Sequence, residues 1–199
     1  MFSFYGGSEA HVKFDISAIF LVLRDLGLLF LILYFLWRNG EPVAAIGLQG
    51  KNFWKELGLG VILFFPFFLG VGFLEKGLQT VGFSSPKIPL QDVFKINSGT
   101  NFIFGFLLVS VAAFVEEIVF RGYLITRFQA LCKSSIAAIL LSALFFALGP
   151  GYEGNSGAIT VGLAGLVFGS IYVWRKSLVA PITMHFLLDF LNILLIFLL

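Results

Sequence analysis

The sequence predicts an all-α protein, a polytopic bundle of about six transmembrane helices. Of its 199 residues, 59% are hydrophobic and only 12% are charged, whereas charged residues supply about 25% of a soluble globular domain. A soluble domain of this size could not hide so much apolar surface. Composition therefore excludes an ordinary cytosolic domain, a disordered chain and a disulfide scaffold.

Apolar stretches long enough to span a membrane recur along the chain, since about 20 mainly apolar residues are needed to cross a bilayer. Four of them carry no charge, namely residues 57–74, 96–115, 134–152 and 154–174. Residues 177–199 are equally apolar apart from His185 and Asp189. Residues 16–37 are the sixth candidate, interrupted by Arg24 and Asp25. These two charges could pair, or this span could begin lower and tilt.

Short polar loops join the predicted spans, and the basic residues in them divide unevenly. Seven are expected on one side of the membrane: Arg38, Lys51, Lys55, Arg127, Lys133, Arg175 and Lys176. Four are expected on the other: Lys13, Lys76, Lys87 and Lys95. The larger set favours a cytoplasmic side with both termini outside. No repeat or soluble domain is evident, so residues 1–199 are interpreted as one multi-pass domain of the cell membrane.

The remaining totals exclude several classes of function. The net charge of +2 gives no basic face for nucleic acid. Cys132 is the only cysteine, so it can form neither an internal disulfide nor a metal cluster. The pair Gly165 and Gly169 forms a GxxxG pattern, which we interpret as close helix packing within the bundle rather than as a dimer contact.

Five ionisable residues lie within predicted spans: Glu116, Glu117, Arg121, His185 and Asp189. A charge at mid-bilayer costs at least about 2.5–3.5 kcal/mol, so residues of this kind tend to be functional. Nothing breaks the sequence after residue 115 until Cys132, so the third span is expected to continue through the glutamates as one helix.

Helical geometry suggests a role for each charged group. Glu117 and Arg121 are four residues apart and can pair on one helix face. Glu116 lies about 100° round the helix and is left free to hold a water and act as a base. His185 and Asp189 are also four apart, so the carboxylate could orient the imidazole, or both could face a substrate carbonyl. The alternative is that both pairs only hold helices together.

A count of depth relates these groups to the Gly-Pro-Gly break after the fourth span. Glu116 precedes the turn near residues 131–133 by 16 residues, and Pro150 follows it by 18. At 1.5 Å per residue, both lie about 24–27 Å from that turn, so the end of span four is level with the glutamates. His185 is expected nearer the cytoplasmic side, and the groups meet only if the helices tilt.

These residues resemble the CAAX protease and bacteriocin-processing family of intramembrane endopeptidases, to which type II CAAX prenyl endopeptidases belong. The first family motif, EExxxR, is matched by Glu116, Glu117 and Arg121. The third, a histidine followed four residues later by Asn or Asp, is matched by His185 and Asp189. The resemblance covers about residues 105–195.

The second family motif, FxxxH, is not met. The corresponding stretch begins at Phe146 and has Pro150 in the place of the histidine, and His11 lies before the first span. The resemblance implies that Glu116 activates the attacking water, that Glu117 and Arg121 support it, and that His185 and Asp189 stabilise the oxyanion. In the family, the histidine of the second motif also helps to activate this water, and that histidine is missing here.

The sequence leaves three functions open. The first is a glutamate-dependent intramembrane endopeptidase acting on membrane-anchored peptides or proteins, with no cofactor and no metal, because one intramembrane histidine falls short of a catalytic zinc site. The second is an inactive relative that binds membrane peptides as an immunity or scaffold protein, which Pro150 favours. The third is a proton-coupled transporter, against which the lack of Gly/Pro-broken helices in corresponding halves counts. The oligomeric state stays open.

Overall fold

The computed structural model describes residues 14–50, 52–83, 96, 98–149 and 154–198. Within these ranges there are six long or medium helices, one turn of 3-10 helix at Val43–Ile46 and no strand. The helices are α1 Phe14–Arg38, α2 Phe53–Thr80, α3 Gly99–Cys132, α4 Ser135–Ala147, α5 Gly154–Arg175 and α6 Val179–Leu198. The prediction of an all-α polytopic bundle is confirmed.

Five of these helices, all except α4, are long and apolar enough to cross a membrane. The α4 helix has 13 residues, which is about 20 Å, against a hydrocarbon core of about 30 Å. It is shorter than the predicted span 134–152, because Gly149 and Pro150 follow it and a residue before proline disfavours helical conformation. Residues 150–153 lie outside the described ranges.

The two charges that interrupt α1 pair with each other, which was one of the two predicted options. Arg24 Nη2 lies 2.7 Å from Asp25 Oδ1. Asp25 is buried in the bundle with 1% of its side chain exposed, whereas Arg24 is half exposed. The span therefore needs no lower starting point to accommodate these charges.

Polar contacts gather the loops at one end of the bundle. Arg127 Nη2 donates to Glu41 Oε2 over 2.7 Å, and this hydrogen bond lowers the pKa of Glu41 below its ordinary value. Arg175 Nη2 donates to Glu56 Oε1 over 2.6 Å. Glu41 and Glu56 lie near the two ends of the connection between α1 and α2, so Arg127 and Arg175 lie at the same end of the bundle. Both arginines belong to the larger predicted basic set.

The helices approach closely where small residues face one another. A Cβ atom on Gly165 would lie 3.0 Å from Ala143 Cα in α4, and one on Gly169 would lie 3.2 Å from Ile125 Cδ1 in α3. The interpretation of the GxxxG pattern as packing within the bundle is confirmed. Many large apolar side chains on the outer faces are exposed, as contact with lipid requires.

The contact between α2 and α6 gives a first prediction. A Cβ atom on Gly60 would lie 2.8 Å from both Ala180 O and Thr183 Cβ, whereas one on Gly70, in the same helix, would meet nothing within 4 Å. We expect Gly60→Ala to lower the free energy of unfolding by about 1–3 kcal/mol through overpacking. The control Gly70→Ala should be neutral or more stable, since alanine favours the helix. Unfolding in detergent checks both, and equal effects would contradict the close approach.

Candidate active site

The α3 helix continues through the glutamates as predicted, but it changes its hydrogen-bond pattern there. Residues Glu117–Leu124 form a π-helix between two α-helical parts. The widened turn ends where the Ile125 N–H donates to Phe120 O, and that carbonyl also accepts from Ser142 Oγ of α4 over 2.6 Å. Segments of this kind are frequent at functional sites. Sequence reasoning missed this segment, because the π-helix depends on a contact with the separate helix α4.

The predicted pair of Glu117 and Arg121 is present at the start of this segment. Arg121 Nη1 lies 2.9 Å from Glu117 Oε1, and the two side chains are only 1% and 0% exposed. Glu117 Oε2 has no hydrogen-bond partner among the described residues. The contact is therefore a fully desolvated ion pair in which each charge depends on the other.

Aromatic rings enclose the guanidinium of Arg121. Its Cζ atom lies 4.1 Å from the ring centroid of Phe146 in α4 and 5.3 Å from that of Phe168 in α5. Such cation–π contacts stabilise a cation away from water. Because Phe146 contacts Arg121, the end of α4 reaches the depth of the charged groups, as predicted. Phe146 is also the first residue of the stretch that corresponds to the second family motif.

His185 of α6 joins this pair through Glu117. Its Nδ1 lies 2.8 Å from Glu117 Oε1, the same oxygen that contacts Arg121. The sequence assigned Glu117 to Arg121 alone and left the imidazole to Asp189. The structure shows a carboxylate that bridges α3 and α6, a contact between residues 68 positions apart that no local pattern could reveal.

The other imidazole nitrogen faces two further carboxylates. His185 Nε2 lies 3.4 Å from Asp189 Oδ2 and 3.9 Å from Glu116 Oε2. Glu116 and Asp189 keep 29% and 31% of their side chains exposed, whereas Glu117 is fully buried. The site therefore has a buried layer of fixed charges and an accessible layer in which Glu116 is able to contact water. The groups of α3 and α6 meet, which the depth count had allowed only if the helices tilt.

Several residues of the sequence interpretation lie outside the described ranges. They are Pro150, at the position of the expected histidine, and His11, together with Lys13, Lys51, Lys87 and Lys95 of the two predicted basic sets. In the described part of the chain, no group of three or more His, Cys, Asp or Glu side chains is arranged to hold a metal ion. The absence of a cofactor and of a metal remains a prediction.

An apolar cavity of about 600 Å³ lies between α2 and α6 at the end of the bundle where the loops gather. Its wall is formed by residues 47–50 of the loop before α2, by residues of α2 and of the first turns of α6, and by Phe114 of α3. None of the five charged residues of the site lines it. Gln49 and Thr183 are among the few polar side chains at its wall.

The comparison with protein families places the charged cluster in a known context. Residues 98–191, slightly less than half of the chain, match the family described as type II CAAX prenyl endopeptidase Rce1-like. This match confirms the resemblance drawn from the two motifs, and it includes α3, α4, α5 and most of α6. No curated protein and no solved structure matches the chain.

The buried ion pair gives a second prediction. Arg121→Ala should lower the free energy of unfolding by about 3–5 kcal/mol, because it removes the guanidinium from the buried carboxylate of Glu117 and leaves only the His185 imidazole beside it. Arg127→Ala breaks the partly exposed pair with Glu41 and should cost only about 0.2–1 kcal/mol. Thermal unfolding of both variants in detergent measures the difference. Comparable losses would show that the Arg121 pair is hydrated.

Proposed function

Because residues 98–191 match a family of membrane endopeptidases, we propose that this protein hydrolyses peptide bonds of membrane-anchored substrates with a water activated by Glu116. The observation that carries the proposal is the position of Glu116, an accessible carboxylate 3.9 Å from an imidazole that a buried carboxylate holds in place. The proposed location is the cell membrane, and the proposed partners are the lipid bilayer and a peptide or protein anchored in it.

The reaction proceeds by general base catalysis. Glu116 accepts a proton from water while the water oxygen attacks the carbonyl carbon of the scissile bond. The carbonyl oxygen becomes an oxyanion, and the N–H at His185 Nε2 donates a hydrogen bond to it. The protonated Glu116 then gives its proton to the leaving nitrogen as the carbon–nitrogen bond breaks. The products are a carboxylic acid and an amine.

The buried layer orients the groups that react. With Nδ1–H donated to Glu117, the His185 ring presents Nε2 to the accessible layer, as a carboxylate orients histidine in hydrolytic triads. Arg121 balances the charge of Glu117 and holds it in one position. Asp189 Oδ2 lies 3.4 Å from Nε2, on the same side of the ring as Glu116. Glu117 and Arg121 act through His185 and are positioning residues.

The apolar cavity supports a substrate embedded in the membrane. Its lining by Leu57 and Val61 of α2 and by Ile182 and Phe186 of α6 suits apolar side chains of a bound peptide. Cavities of about 300–1,000 Å³ are usual for bound ligands. A water-soluble peptide would gain little from such a wall, so the proposed substrate enters from the bilayer.

The role of Glu116 gives a third prediction. Glu116→Gln should lower kcat by at least about 100-fold, because the amide keeps the size of the side chain but cannot accept a proton from water. Glu75→Gln, which neutralises a carboxylate of α2 outside the cluster, should leave kcat within about twofold. Proteoliposomes with a membrane peptide substrate and mass spectrometry of the products give the rates. Full turnover by Glu116→Gln would exclude this base.

A second candidate function is an inactive relative that binds membrane peptides. The specific observation in its favour is Pro150, which stands where the resembling family has a histidine. In that case the intact chain binds a membrane peptide without cleaving it, and Glu116→Gln binds it equally well. Cleavage by the intact chain that depends on Glu116 decides between the two.

The fourth prediction tests this second candidate directly. If the chain is inactive only because residue 150 lacks an imidazole, Pro150→His should give cleavage at least about 100-fold above the intact chain, the usual contribution of one acid–base group. Pro150→Ala removes the same proline but adds no imidazole, so it should stay inactive. An equal gain in both variants would attribute inactivity to the proline backbone instead.

A further inference from the structure

The buried carboxyl of Asp25 has one oxygen that the fold does not use. Arg24 contacts Oδ1 through both Nε at 2.9 Å and Nη2 at 2.7 Å. Oδ2 is fully buried and has no hydrogen-bond partner among the described residues. A buried polar atom without a partner is costly, so native structures commonly pair it with water when no protein group is available.

The packing of α1 on α3 brings this carboxyl to the depth of the active site. Both helices run in the same direction, because Phe14 lies against Gly105 near the start of each helix, and Ile32 and Leu36 share a cluster with Ile118 and Ile125 further along. Asp25 follows Phe14 by eleven residues, and Glu116 follows Gly105 by eleven. Eleven residues are about three helical turns, so both carboxyls lie about 16 Å further along the helices at the same level.

The two residues also share the faces on which the helices meet. The buried positions of α1 are Phe14, Ala18, Asp25, Ile32 and Leu36, which fall on one stripe. Glu116 continues the stripe of α3 that begins at Gly105 and passes through Val109, since these positions recur at helical spacing.

We propose that Asp25 is a water-binding residue of the active site, with Glu116 and Asp25 Oδ2 holding the two hydrogen atoms of the attacking water. This inference rests on the proposed endopeptidase function and adds a partner for the water that position 150, as a proline, does not provide. Helix α1 lies outside residues 98–191, so the family match does not include this residue.

The role of Asp25 in the step is to hold the water, and its own bonds do not change. One O–H bond of the water breaks, and its proton moves to Glu116 as the oxygen attacks the carbonyl carbon. The second O–H stays intact and donates to Asp25 Oδ2, which fixes the direction of the oxygen lone pair. A well-oriented nucleophile lowers the barrier without a change in substrate affinity.

The first arm of the test measures turnover of Asp25→Asn in proteoliposomes. Arg24 retains the amide oxygen as a partner, so the NH₂ group replaces Oδ2 and cannot accept from the water. We expect kcat to fall by about 100-fold with KM within about twofold, while Glu75→Gln stays at the parental rate. An unchanged kcat, or a loss matched by loss of folded protein, overturns the role in catalysis.

The second arm tests the juxtaposition without any activity. Unfolding midpoints are measured for Asp25→Asn, Glu116→Gln and the double variant. If the carboxyls face each other, either neutralisation removes the same repulsion, and the shift of the double variant falls short of the sum of the single shifts. Additive shifts overturn the pair. If the parent lacks turnover that depends on Glu116, the proposed function fails, and this arm still decides whether the two carboxyls meet.

Discussion

The rest of the site depends on one carboxylate oxygen, Glu117 Oε1, which contacts Arg121 and His185 at once. The carboxylate has no access to water, so its charge must be balanced where it lies. Arg121 supplies that balance from the next turn of α3, and His185 brings α6 into register with α3. Aromatic rings from α4 and α5 then cover the cation. Four helices thus have their positions fixed around a single charge.

The backbone makes room for this charge by local departures from regular packing. The π-helix at Glu117–Leu124 shifts the side chains of α3 relative to a continuous α-helix, and Ser142 of α4 donates to the carbonyl of Phe120 within it. Within the same segment, Gly122 lets the 3-10 turn approach, since a Cβ atom there would lie 2.8 Å from Ile46 O. Gly122 therefore allows the 3-10 turn to pack against α3 next to the charged cluster, because a larger side chain would push the turn away.

Separation of buried from accessible charge is what makes the cluster suitable for chemistry. A fixed inner layer holds the imidazole, and the partly exposed carboxylates of Glu116 and Asp189 face its free nitrogen. A base must contact the water whose proton it takes, and a charge used only for packing has no need of such contact.

The sequence by itself determined the all-α membrane class, the continuation of α3 to Cys132 and the pairing of Glu117 with Arg121. These features depend on composition and on contacts within one helix, where spacing fixes geometry. The two motifs also predicted the family resemblance, and the family match over residues 98–191 confirms it. Only the tertiary structure decided that α4 ends at Ala147, that Glu117 also holds His185, and that Asp25 lies level with Glu116. Each of these features depends on how separate helices pack against one another. Residues far apart in the chain carry no periodic signal of their contact.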